Sequence, residues 1–314
     1  MLTLAKDMTL LFPSSCIERY MGFLWTSLDE CSDQKQRKVF VVAGYLASQD
    51  EWTEIERCWL RRLEQECDPR PMAYFSAREC KALRGEFWRF RDKIKYPPPE
   101  GRNAANAIRD DLQLILRSSL TRGFVLGINL GDYRSVRRSS RARKVLLSNP
   151  YENGYLTTFI RVAATCDEEM PSRVNTETVA FLCDSHNLSA NVKAVYDNLR
   201  DHNPRCAPWM GSLTYMDNKK SPALQAADLL ASQSKDFLIE YIENPRKETL
   251  EQIVARWKPI FGRNVGIGCM NKTSLKAVVD ANVPRNGRFS IYSTKQLALL
   301  KDLTRPDEKK LGVR

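Results

Sequence analysis

The chain has 314 residues, 43% hydrophobic and 28% charged, enough apolar material for one large globular domain or one domain with an appendage. No run of about 18 apolar residues occurs, which argues against a membrane-spanning helix, and the opening MLTLAKDMTLLFPSSCIERY lacks the long apolar stretch of a secretory leader. The 49 Lys and Arg against 38 Asp and Glu leave a net charge of +11, a balance that attracts polyanions, of which nucleic acid is the commonest inside cells.

Residues 1–20 read as an extension ahead of the first strand. Gly22 to Leu28 (GFLWTSL) is a buried strand that ends on Asp29-Glu30, and Val39 to Leu46 is its hairpin partner across the polar CSDQKQRK turn. Ser48 precedes a helical pattern of Trp52, Ile55, Trp59, Leu60 and Leu63 that runs to Glu66 and stops at Pro69 and Pro71. Met72 to Ser76 reads as a short strand, and RECKALRGEFWRFRDK after it is basic and aromatic. Ala104 to Leu120 forms an amphipathic helix, and Gly123 to Leu130 a further strand ending on Gly131-Asp132.

Residues 134–144 (RSVRRSSRARK) carry six basic side chains without apolar periodicity and read as an exposed loop. Helical spacing covers Tyr151 to Cys166. Thr178 to Cys183 is a strand ending on Asp184, Ser189 to Leu199 a helix, and Trp209 to Met216 a strand. Pro222 opens a helix reaching Ile242, and Lys247 to Trp257 is another, followed by a mixed tail. The last ten residues have the composition of a disordered end. A hairpin first and alternating strands and helices later predict an α/β fold, a mixed sheet flanked by helices.

Nine cysteines, an odd number without a CxxC pair, and only two histidines, His186 and His202, argue against a zinc site. Scattered reduced thiols fit a cytoplasmic setting. The acidic residues carry more. Asp29 and Asp184 close apolar strands, and ligands of open α/β sheets gather at the carboxyl ends of strands. Asp228 stands inside the apolar helix PALQAADLLAS, where a carboxylate needs a partner or a metal. Plainer roles stand beside these. Asp184, with Ser185, His186 and Asn187 after it, fits a cap or turn; Asp29-Glu30 fits a solvated turn; Asp132 fits a turn as well as a spare site. The basic segment (Arg134, Arg137, Arg138, Arg141, Arg143 and Lys144) fits phosphate contact or a solvated surface equally. Trp88, Arg89 and Arg91 fit base stacking, or a helix face with one core Trp.

SLDECSD followed by VFVVAGYLAS, then VAFLCDSHN, then SPALQAADLLAS after GSLTYMD, resembles the uncharacterised DUF3800 family over roughly residues 20–240. NPYENGYLTTFIRVA is similar to the helix between that family's middle strands. The Gln225-x-x-Asp228 helix is the most specific part. The resemblance implies a ribonuclease-H-like domain over 21–245, with helical insertions and a C-terminal helical extension and tail over 246–314. It implies a metal-dependent nuclease acting on DNA or RNA. Asp29, Asp184 and Asp228 would hold Mg²⁺ or Mn²⁺, ions that favour oxygen ligands, with Glu30 the next candidate and Gln225 orienting a ligand or substrate. Cys31-Ser32 replaces the family's Ser-Gly. In YFSARECK, where many relatives carry a His, Ser76 or Glu79 would have to stand in for a fourth ligand. The alternative is a nucleic-acid-binding or regulatory protein whose acidic site no longer turns over.

Overall fold

A computed structural model describes residues 24–281 apart from positions 34, 175–176, 186–188, 245–248 and 262–263. The expected extension over 1–20, Gly22, His186, Asn187, Lys247 and everything from 282 on lie outside the described residues.

Alternating and fully buried apolar runs build the sheet. β1 (Leu24–Ser32) pairs antiparallel with β2 (Val39–Ser48), and β2 antiparallel with β3 (Arg122–Asn129). β4 (Val179–Asp184) lies parallel to β1, and β5 (Met210–Met216) parallel to β4. The sixth strand of the sheet, β6 (Val265–Met270), lies parallel to β3, so the order is β5-β4-β1-β2-β3-β6. The sheet thus draws on residues from both sides of position 245, and its β6 edge falls in what the sequence reads only as a mixed tail. VGIGCM is short and holds two glycines, which hides its strand character.

Helices cover both faces, which is why β2 is buried almost throughout. One layer contains α1 (Gln49–Glu64), α2 (Ala77–Ala82), α3 (Glu100–Ser118), α8 (Pro222–Glu243) and α9 (Leu250–Phe261), packed on Trp25, Val41, Ala43 and Tyr45. The other contains α4 (Leu130–Arg137), α5 (Ser140–Arg143), α6 (Pro150–Glu169), α7 (Ser189–His202) and α10 (Lys272–Ala281), packed on Leu28, Phe40, Val42 and Phe181. The architecture is a mixed α/β fold, a six-stranded mixed sheet flanked by helices. Local signals fix the helix starts. Ser48 and Glu51 form a capping box on α1, Asn149 caps α6 ahead of Pro150, and Ser221 caps α8 ahead of Pro222. Gly154 lets α6 approach β2: a Cβ there would stand 2.6 Å from the Phe40 ring.

Four expectations change. β1 continues past Leu28 because Asp29 and Glu30 stay in register with Ala43 and Val42. Residues 72–76 form no strand; their backbone amides are taken by other partners, Met72 N–H by the Leu63 carbonyl and Ala73 N–H by Glu86. The basic segment is not a loop. Asn129 caps α4, Ser139 caps α5, and Tyr133, Val136 and Ala142 are buried on one side, leaving the basic side chains on the other. In the 3-10 turn Gly85–Arg91, the tryptophan is not a core residue: Trp88 is 59% exposed, and its neighbour Arg89 is the buried one.

Candidate functional site

The two-residue repeat of a strand decides which acids meet. In β1, Asp29 shares a face with Trp25 and Ser27, the face covered by α8; in β4, Asp184 shares that same face with Ala180. Leu28 and Cys183 are paired across the parallel strands, so the next residue on each is Asp29, within β1, and Asp184, at the carboxyl end of β4, side by side. Asp228 reaches the same place from α8. Glu30, one residue on, points to the other face, where it accepts a hydrogen bond from the Tyr155 hydroxyl of α6.

The electrostatics reflect this crowding. Burial pushes the Asp29 carboxyl well above the usual range, and Asp228, Glu30 and Asp184 push it further. Burial raises Asp228 to about 6, aided by Asp184 and opposed by the Ala77 amide, Ser76 and Lys235. Burial raises Asp184 against the Asn218 and Ser185 amides, and raises Glu30 to about 7 against the Tyr155 hydrogen bond. Lys235 is a participant that the sequence reading misses. It lies two helical turns after Asp228 on α8, its side chain is 17% exposed, and it also counteracts the burial that raises the Cys31 thiol to about 11. Its spacing from Asp228 is the signal that could have found it.

Each carboxylate is also tied to backbone. Asp29 Oδ1 accepts from the Glu30 amide at 2.7 Å, Asp228 Oδ2 from the Ala77 amide at 2.8 Å, and Asp184 Oδ1 from the Asn218 amide at 3.0 Å. Among the described residues, no group of three or more His, Cys, Asp or Glu is arranged to hold a metal ion. The donors are carboxylate oxygens, the ligand type hard divalent cations take, and Asp29 feels the charges of Asp228 and Asp184.

Gln225 is fully buried. Its Oε1 accepts from Trp59 Nε1 at 2.9 Å and from the Phe75 amide at 3.0 Å, and its Nε2 donates to the Lys219 carbonyl at 3.4 Å. These bonds hold it among protein groups, with one Nε2 hydrogen without a partner among the described residues, so its bonds serve the packing of its own surroundings. One helical turn apart on α8, Gln225 and Asp228 take the amides of Phe75 and Ala77, so the Gln-x-x-Asp pattern docks the 75–77 segment and presents Ser76 to Asp228. Glu79 lies outside this centre, accepting from the Tyr74 hydroxyl at 2.9 Å and pairing with Lys219 at 3.4 Å. Asp132 accepts from the Lys272 amide at 2.9 Å at the start of α10.

The basic residues divide by partner. Arg134 donates to the carbonyls of Gln36 and Arg37 in the β1–β2 turn, and Arg137 to that of Leu147. Arg141 pairs with Asp280 at 3.4 Å. Arg89 has no base-stacking role to play, because its buried guanidinium donates to the Glu66, Asp68, Arg70 and Glu86 carbonyls and to the Glu86 carboxylate. Arg91 donates to the Ala82 carbonyl. The described cysteines are free thiols, and no described helix is long and apolar enough to cross a membrane. Compared with protein-family models and with curated proteins, the chain gives no match.

Proposed function

We propose that the chain is a ribonuclease-H-like nuclease of the DUF3800 type that hydrolyses phosphodiester bonds in DNA or RNA. An antiparallel meander continued by parallel strands, with acids toward the carboxyl ends of neighbouring central strands, supports the fold part of that reading. The observation that carries the chemistry is the convergence of three carboxylates, the buried Asp29 and the half-buried Asp184 and Asp228, from β1, β4 and α8 on one face of the sheet.

Asp29, Asp184 and Asp228 would hold Mg²⁺ or Mn²⁺, which would supply charge neutralisation at the scissile phosphate and a more acidic water. The chain's own residues prepare that centre. β1 and β4 set two carboxylates in adjacent register; the Ala77 amide and Ser76 orient Asp228; Lys235 limits the repulsion; Tyr155 keeps Glu30 on the far face as an outer carboxylate. The basic surface of α4 and α5 would contact the phosphate backbone of the substrate.

A second reading, a nucleic-acid-binding protein without turnover, is favoured by the bonds that already occupy Gln225 and Asp228 in holding residues 75–77. Labelled single- and double-stranded DNA, RNA and a DNA–RNA hybrid, incubated with Mg²⁺ or Mn²⁺, separate the two. The nuclease reading expects cleavage by the native chain and none by Asp228→Asn of unchanged circular dichroism. Equal cleavage by that variant overturns the assignment, and no cleavage of any substrate by the native chain selects the second reading.

A further inference from the structure

On the α4, α5 and α6 side of the sheet, opposite the face that carries Asp29, Asp184 and Asp228, lies a cavity of about 380 Å³, walled by Arg134, Arg137, Arg138 and Arg143 together with Gln36 and Tyr151. We infer that this cavity is a receptor for a phosphate monoester, the group at the end of a nucleic-acid strand or on a free nucleotide. Four arginines line it, and no described residue lining the cavity is an Asp or Glu. Like charges gathered without a counter-charge repel one another, and a bound anion relieves that repulsion. Arg141, on the same short helix, has its own carboxylate in Asp280 and does not line the cavity. The cluster is therefore more selective than a basic surface.

The cavity is built in two parts. Arg134 and Arg137 are anchored by donation to backbone carbonyls, at 3.0 and 3.2 Å for Arg134 and 3.0 Å for Arg137, so their positions are fixed before any ligand arrives. The side chains of Arg138 and Arg143 are exposed and have no hydrogen-bond or ion-pair partner among the described residues, which leaves two planar forks able to close on an anion. Gln36, in the left-handed region at φ 48°, donates to the Tyr151 hydroxyl at 3.2 Å and completes the polar wall.

The class of anion follows from charge and size. An internal phosphodiester carries one negative charge. A monoester carries about −1.5 to −2 at neutral pH and offers three terminal oxygens, the better match to several arginine forks. The volume suits one nucleotide-sized group. Tyr151 ties the cavity to the end of β1: it lines the cavity, its hydroxyl is hydrogen-bonded by Ser32, and Glu30 acts on it from the same side of the sheet. A terminal phosphate held here would place the following nucleotides toward β1. The binding itself needs no divalent metal and does not depend on the nuclease reading.

The test is fluorescence anisotropy in EDTA with 3′-labelled hexathymidylate bearing either a 5′-phosphate or a 5′-hydroxyl, with adenosine 5′-monophosphate as competitor. The phosphorylated strand should bind at least tenfold more tightly. Arg138→Gln/Arg143→Gln should erase that preference, whereas Arg141→Gln, on the same segment, should keep it. Competition by the mononucleotide at the strand's own affinity identifies a free nucleotide as the ligand, and weaker competition identifies a strand end; both support a monoester site. Equal binding of the two strands by the native chain overturns the inference. So does a preference that survives in the double variant or is lost equally in Arg141→Gln. All readouts stand whether or not the chain cleaves anything.

Discussion

The acidic centre and the arginine cavity treat like charge in opposite ways. On β1, β4 and α8, the buried Asp29 and the half-buried Asp184 and Asp228 stand close together and accept hydrogen bonds from the amides of Glu30, Asn218 and Ala77. In the cavity, Arg134 and Arg137 donate to backbone carbonyls, while Arg138 and Arg143 remain exposed. Backbone dipoles satisfy the first group only in part, because burial still holds the Asp29 carboxyl far above its ordinary pKa. Water and salt screen the second. Buried like charge costs stability wherever it stands and so calls for a functional reason; exposed like charge calls for one only when it is organised around a cavity.

The strongest way to break this contrast is to neutralise the buried side. Asp29→Asn should lower metal-dependent cleavage by at least about a hundredfold. Near neutral pH it should also raise stability by about 1 kcal/mol or more, since an amide carries no repelled charge; urea denaturation beside the cleavage assay reads both. Gln225→Ala should do the reverse. Trp59 Nε1 and the Phe75 amide would lose their acceptor, at about 1–3 kcal/mol each, so a stability loss on the order of 3 kcal/mol is expected. A Gln225→Ala chain as stable as the native one would show that residues 75–77 are held by something else.

The pH dependence sharpens the same point. Asp29, Glu30, Asp184 and Asp228 all have carboxyl pKa values raised by folding. The folded chain then binds more protons than the unfolded one, so stability is highest below about pH 4 to 5 as far as these groups are concerned, and falls as pH rises through about 7, the value Glu30 reaches. Mn²⁺ should offset the loss, with a thermal shift that grows from acid to alkaline pH as metal replaces protons. A shift independent of pH would mean the metal binds elsewhere. The smallest effect is expected on the basic side: Arg134→Gln removes two exposed bonds to the β1–β2 turn and should cost about 1 kcal/mol or less, measured by urea denaturation.

Much of this was legible from residue order. Strand alternation and helix caps placed β1 to β5 and the main helices, and the apolar setting of Asp228 marked it as unusual. Other features depend on contacts between distant segments. Residues 72–76 look like a strand because their partner, α8, lies some 150 positions away in sequence and binds through side chains. Arg89 and Trp88 are adjacent, yet the charged one is buried, because four carbonyls from separate turns converge on it. The basic segment hides its helices because only three of its side chains, Val136, Ser139 and Ala142, carry the pattern. Gln225 is named by the Gln-x-x-Asp spacing, but what it holds, Trp59 and Phe75, no spacing could show.

The central claim is that Asp29, Asp184 and Asp228 act as one metal centre. Calorimetric titration of the native chain with Mn²⁺ at mildly alkaline pH, repeated on Asp29→Asn, Asp184→Asn and Asp228→Asn, tests it directly. The account predicts saturable binding that each single variant weakens by at least about tenfold. Binding that survives in all three variants, or no binding by the native chain, would contradict it.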